Sequence, residues 1–178
     1  MNRYSLYAAL VAALVLVGCD PHNHDHGNDH AAASRFILHL TNGDTIAAIW
    51  NDPDGPGGQS PQIDTIRLRR GSYSGRLIIL TTTGDTLSTV IQTQGTEHQL
   101  FYTVSGSAAS HVSISIRDRD SRGMPLGLQT AWEVEPPQAP VPGSVRIQLY
   151  HYEPNKKDGI TPSAETDADI TFPLIVQP

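Results

Sequence analysis

Four of the eight histidines lie within nine residues near the N-terminus, interleaved with carboxylates. The histidines are His22, His24, His26 and His30, and the carboxylates are Asp20, Asp25 and Asp29. Neutral imidazole binds zinc, nickel and copper(II), and a nearby carboxylate oxygen can complete the coordination shell. The stretch therefore predicts binding of Zn²⁺ or a similar divalent transition metal, with the four histidines as ligands assisted by Asp25 and Asp29.

The other four histidines are scattered along the chain, in or beside segments that alternate like strands. They are His39, His98, His111 and His151. None of them has a catalytic nucleophile in a recognisable pattern around it. The sequence leaves open whether they meet in space. If three of them did so within ligand distance, the metal site would belong to the fold.

A second set of metal ligands is conceivable in the acidic turn at residues 118–123, which resembles the start of a calcium-binding loop. Asp118 and Asp120 would be the ligands, but Arg122 and Gln129 stand where an EF-hand needs an acidic or amide side chain and a glutamate. The alternative is a tight turn whose Asp side chains accept hydrogen bonds from nearby amides and which leads to Gly123 with positive φ. We favour the turn.

Motifs of the common enzyme classes are absent from the sequence. There is no Gly-x-Ser-x-Gly elbow, His-Glu-x-x-His, phosphate-binding glycine loop or dinucleotide fingerprint, so we expect a non-enzymatic protein. The formal net charge of −6 and the lack of a basic run argue against a nucleic-acid partner.

The N-terminus has the layout of a lipoprotein signal peptide. Arg3 precedes an apolar run over residues 6–17, and the run ends in Leu-Val-Gly-Cys, which resembles the bacterial lipobox. Residues 1–18 are then the signal peptide, and Cys19, the single cysteine, carries the lipid that anchors the mature protein to a membrane. With that thiol acylated, no disulfide can form.

Residues 19–34 read as a polar, disordered tether that contains the histidine stretch. The alternative to metal binding is that this tether only keeps the following domain away from the membrane. We expect that domain to cover residues 35–178.

From residue 35 onward, apolar and polar residues alternate with a period of two. About nine short strands separated by turn residues predict an all-β fold, an antiparallel β-sandwich of immunoglobulin-like type. Only residues 86–94 have helical spacing, and the prolines of residues 136–142 predict an extended connector. The predicted strands cover residues 35–40, 45–51, 64–69, 76–81, 98–104, 112–116, 128–134, 145–149 and 170–176.

Several islands of sequence resemble a family of uncharacterised lipoproteins of Bacteroidota type. The resemblance implies lipidation, a β-rich domain and an outer-membrane location on either the periplasmic or the cell-surface face, and it carries over no functional residue. The islands are residues 50–55, 97–102, 118–120, 123–128 with Trp132, 151–159 and 165–170.

These observations lead to two main hypotheses for function, beside a third possibility, a structural envelope protein without a ligand. In the first, a lipid-anchored protein of the outer envelope captures a divalent transition metal through its histidine-rich tether and passes it to an envelope uptake system. In the second, the domain is an adhesion module that binds a protein or glycan partner, and the tether is a spacer.

Overall fold

The computed structural model describes residues 33–55 and 58–178. Within these residues, two β-sheets pack face to face around one hydrophobic core. The predicted all-β sandwich is therefore confirmed, while the immunoglobulin-like strand arrangement stays a prediction. Cys19, the four histidines of the tether, Asp25 and Asp29 lie outside the described residues.

The larger sheet has six strands in the order β3-β2-β1-β5-β8-β7, and the smaller sheet has four in the order β4-β10-β9-β6. Neighbouring strands are antiparallel except β4 and β10, which are parallel. The strands are β1 (Ala33–Asn42), β2 (Asp44–Asn51), β3 (Gln62–Ile63), β4 (Ile66–Leu68), β5 (Gly71–Thr81), β6 (His98–Gly106), β7 (Val112–Ile116), β8 (Gln129–Val134), β9 (Val141–His151) and β10 (Glu165–Val176).

Each of the nine predicted segments overlaps one of these strands, and β3 is an additional strand too short to show alternation. Helix α1 (Leu87–Thr93) lies inside the predicted helical segment, and a short 3₁₀ turn covers Ser107–Ser110. Several strand boundaries differ from the predictions, and β5 and β10 begin five residues before their predicted starts, at Gly71 and Glu165. Strand β1 begins at Ala33, inside the predicted tether, and β9 already includes Pro142 of the predicted connector. Pro142 is tolerated because its position lies beyond the end of the β6 ladder, so β9 is an edge strand there.

The core forms because the alternating apolar side chains of both sheets point toward each other. Leu38 and Trp132 of the larger sheet and Ile147 and Phe172 of the smaller one are almost fully buried. Among the described residues, no helix has the length and apolar character needed to cross a membrane.

We expect Phe172→Ala to lower the free energy of unfolding by about 3–5 kcal/mol, because it leaves a cavity between the sheets. Ile160 is 81% exposed, so Ile160→Ala is a matched control that should stay within about 0.5 kcal/mol of the wild type. Urea denaturation of the three proteins measures both values. If the two variants lost the same free energy of unfolding, this assignment of the core would be contradicted.

Candidate metal centre

Two of the scattered histidines meet at one end of the smaller sheet. His98 is the first residue of β6 and His151 is the last residue of β9, and the antiparallel register sets them directly opposite each other. The next pair on the same face is Leu100 with Leu149, both buried, so both histidines lie on the core side of the sheet. Their rings are 4.8 Å apart between centroids and cross at 81°.

A carboxylate reaches the same place through an irregularity in β10. Thr166 pairs with Tyr150 and Ala168 with Leu149, so Asp167 is an extra residue between them, a β-bulge. In a regular ladder Asp167 would share the outer face with Asp169, which forms an ion pair with Arg146 there. The bulge instead turns Asp167 toward the histidines, as bulges do at many functional sites.

The three side chains are spaced for a single ion. Asp167 Oδ2 is 3.6 Å from His98 Nε2 and 3.8 Å from His151 Nδ1, and one ligand atom from each residue lies within 4.8 Å of the others. Ligand atoms of a tetrahedral zinc ion are about 3.4 Å apart, since each metal bond is about 2.0–2.2 Å long. Small rotations of the side chains would therefore close the site around a metal.

The orientation of His98 is fixed by a backbone carbonyl. Its Nδ1 lies 3.0 Å from the backbone oxygen of Gln94, the C-cap residue that follows α1. Because a carbonyl oxygen can only accept, this hydrogen bond requires a proton on Nδ1. In the neutral form of the ring, Nε2 is then the nitrogen with the free lone pair, and it is the one that faces Asp167. A metal-binding histidine is commonly held in this way by a carbonyl on its second nitrogen.

Exposure increases across the centre from the core to the surface. The His98 side chain is 2% exposed, that of His151 14% and that of Asp167 25%. His151 also lines a cleft of about 400 Å³ together with Glu165. An ion can thus reach the centre from solvent, and two imidazoles with one carboxylate suit zinc, copper(II), nickel or iron(II) while leaving at least one coordination position open.

The remaining histidines of the described residues do not join this centre. His39 lies on β1 in the larger sheet, and His111 follows the 3₁₀ turn before β7. Among residues 33–55 and 58–178, His98, His151 and Asp167 are the one group of three such side chains close enough to share an ion. Sequence reasoning named both histidines as candidates but missed Asp167, because a bulge leaves no signature in the alternation around it.

The carboxylates of the acidic turn accept hydrogen bonds from backbone amides, the arrangement that the favoured turn interpretation describes, while a calcium ion on Asp118 and Asp120 stays an untested alternative. The Asp118 carboxylate accepts hydrogen bonds from the backbone N–H groups of Gly127 and Leu128. Asp120 Oδ1 accepts from the N–H groups of Arg122 and Met124, and Gly123 has a φ of 79°. These donors use part of the acceptor capacity of the oxygens that would have to bind calcium.

The other oxygen of Asp120 takes part in a buried ion pair that sequence reasoning missed. Lys157 Nζ donates to Asp120 Oδ2 at 2.9 Å and to the carbonyl of Gly95 at 2.7 Å, and both charged side chains are fully buried. Gly95 follows Gln94, which holds His98, and Lys157 lies in the loop that leaves His151. The pair therefore fixes the two segments that flank the histidines.

Burial opposes ionisation of Asp120, but hydrogen bonds from Lys157, Met124 and Arg122 outweigh it, so the pKa of this carboxyl is lowered. A lowered pKa in the folded state means that the carboxylate stabilises the fold above the pKa of an unfolded aspartate and loses this effect as the pH falls below it.

No protein-family model matches the chain, and neither a curated protein nor a solved structure shows significant similarity to it.

We expect Asp120→Asn to lower the free energy of unfolding by about 3–5 kcal/mol at neutral pH, because it leaves the Lys157 ammonium buried without its counter-ion. The difference from the wild type should shrink below about pH 4, where an unfolded aspartate becomes protonated. Denaturation curves of the variant and the wild type over a series of pH values measure this difference in free energy of unfolding. Asp44 is exposed, so Asp44→Asn is the matched control. If both variants lowered the free energy of unfolding equally, the stabilising role of the Lys157–Asp120 pair would be refuted.

Proposed function

We propose that this protein binds a divalent transition metal, zinc or a similar ion, in its folded domain through His98, His151 and Asp167. The observation that carries the proposal is their convergence from three neighbouring strands, with ligand atoms within 4.8 Å of one another. The proposal thus adds a metal site inside the sandwich to the metal binding expected of the N-terminal histidine stretch.

The contact between His98 and Asp167 favours a cation at this place. With Nδ1 of His98 donating to the carbonyl oxygen of Gln94, Nε2 is the ring nitrogen that faces the Asp167 carboxylate, 3.6 Å from Oδ2. An imidazole nitrogen and a carboxylate oxygen this close favour a cation that both share, either a proton or a metal ion. A metal ion has the further advantage that His151 and Asp167 bind it at the same time.

The cellular part of the proposal is that Cys19 is lipidated, that the protein stands on the outer membrane, and that it captures metal for an envelope uptake system without catalysing a reaction. The lipobox-like motif and the histidine stretch after it support this part. The alternative of a glycan-binding face gains little support from Phe101 and Tyr150, because their rings meet edge to face at 88° and form no coplanar platform.

The proposal is tested by calorimetric titration of the full-length protein with ZnSO₄. We expect His98→Ala, His151→Ala and Asp167→Asn each to weaken the tightest site by at least about tenfold, since even the loss of an outer partner of a ligand costs about 10–100-fold. His39→Ala is the matched control because His39 lies in the other sheet, and it should bind like the wild type.

Circular dichroism of each variant verifies that the sandwich is intact. Unchanged zinc affinity in folded His98→Ala and His151→Ala proteins would overturn the proposed centre, even if the N-terminal histidines bind zinc by themselves.

A further inference from the structure

A row of three side chains crosses the smaller sheet at the candidate centre. The register sets His98 opposite His151 in the ladder between β6 and β9, and it sets His151 opposite Glu165 in the ladder between β9 and β10. Residues directly opposite each other in an antiparallel pair point to the same face of the sheet. Glu165, the first residue of β10, therefore lies on the same face as the two histidines.

The Glu165 carboxylate can reach an ion held by His151. Directly opposite residues have Cβ atoms about 4.5–5.5 Å apart, and a glutamate carries its carboxylate on a flexible chain beyond Cβ. This carboxylate is not among the ligand atoms that lie within 4.8 Å of one another, so it has to rotate toward the ion. The rotation breaks no ion pair, because Glu165 is exposed and forms none within the described part of the chain.

Glu165 also stands at the solvent side of the centre. It lines the cleft of about 400 Å³ together with His151. Ser163 links the backbones of the two residues, because its hydroxyl donates to the carbonyl oxygen of His151 and accepts from the N–H of Glu165 at 3.3 Å. The backbone of Glu165 is thus held beside His151, while its side chain is left at the opening of the centre.

The charge of a divalent ion favours a second carboxylate. Two neutral imidazoles and one carboxylate leave net positive charge beside the buried His98, and an uncompensated charge is costly to bury. Two other acidic residues line the cleft. Asp158 already accepts hydrogen bonds from the N–H groups of Ile160 and Thr161, and Glu153 lies beyond the end of β9, outside the register. Glu165 is therefore the best placed of the three.

We propose that Glu165 is the fourth ligand of the ion held by His98, His151 and Asp167, and that it closes the centre toward the cleft. This inference rests on the proposed function, because it requires the folded centre to bind metal. Three protein ligands leave a tetrahedral ion one position short, and a fourth ligand from the protein is typical of a site that stores or carries an ion without catalysis.

The first measurement is the zinc affinity of the full-length protein in detergent, obtained by competition with a chromophoric chelator. We expect Glu165→Ala to weaken zinc binding by about tenfold or more, since even the loss of an outer partner of a ligand costs about 10–100-fold. Glu153→Ala removes the same charge from the same cleft. It is the matched control and should stay within about threefold of the reference protein.

Every protein compared, including the reference, carries four substitutions that remove the imidazoles of the N-terminal stretch. They are His22→Ala, His24→Ala, His26→Ala and His30→Ala.

The second measurement asks whether the fourth position of the ion is open. Co²⁺ replaces zinc, because its visible absorption responds to a change of ligand, and azide is added as a small anion that binds an open position. We expect azide to leave the Co²⁺ spectrum of the reference protein and of Glu153→Ala unchanged, and to shift that of Glu165→Ala. Circular dichroism verifies that each variant is folded.

Three results would overturn the inference while leaving the proposed function intact. In the first, His98→Ala weakens zinc binding but Glu165→Ala does not. In the second, Glu165→Ala and Glu153→Ala weaken it equally, as a general loss of negative charge would. In the third, azide already shifts the Co²⁺ spectrum of the reference protein, so that the fourth position is open. If His98→Ala and His151→Ala both bind zinc like the reference protein, the proposed function fails as well.

Discussion

The candidate metal centre depends on the register of β9 with its two neighbours. Strand β9 is hydrogen-bonded to β6 on one side and to β10 on the other, and these ladders set His98 opposite His151 and bring Asp167 beside them. A slip by one residue in either ladder would turn the side chains to the opposite face of the sheet. The register is held by the buried alternation farther along the same strands, where Val145, Ile147 and Phe172 pack against the larger sheet. The core that folds the protein thus also sets the geometry of the centre.

The surrounding segments limit the freedom of the histidines. Helix α1 ends at the carbonyl that holds His98, and the buried pair of Lys157 and Asp120 ties the following turn to the loop beyond His151. A buried ion pair adds little net stability compared with apolar packing, but it is specific in geometry because a misplaced partner would leave a charge unpaired. We interpret this pair as a positioning device for the two segments. In contrast, Asp167 lies on a bulge and is the most exposed of the three side chains of the candidate centre, so an ion could enter from its side.

Much of the fold could be predicted from the sequence because strands with one buried face leave a direct record in the alternation of apolar residues. Val145, Ile147 and Leu149 of β9 are a clear example, and all three are buried. Strand β3 was missed because two residues cannot show a period. The centre was harder to predict because His98 and His151 are far apart in the chain and meet only through a pairing of non-consecutive strands. Asp167 depends on a bulge, and Lys157 reads as an ordinary surface lysine in a Lys-Lys-Asp-Gly turn although it is buried.

The central claim is that one divalent ion binds between three particular side chains. The most direct measurement is anomalous X-ray scattering from crystals of the protein grown with Zn²⁺, with data collected on both sides of the zinc absorption edge. The account predicts an anomalous peak about 2.0–2.2 Å from His98 Nε2, a ring nitrogen of His151 and a carboxylate oxygen of Asp167. A zinc-loaded crystal with no peak between these three residues would contradict it.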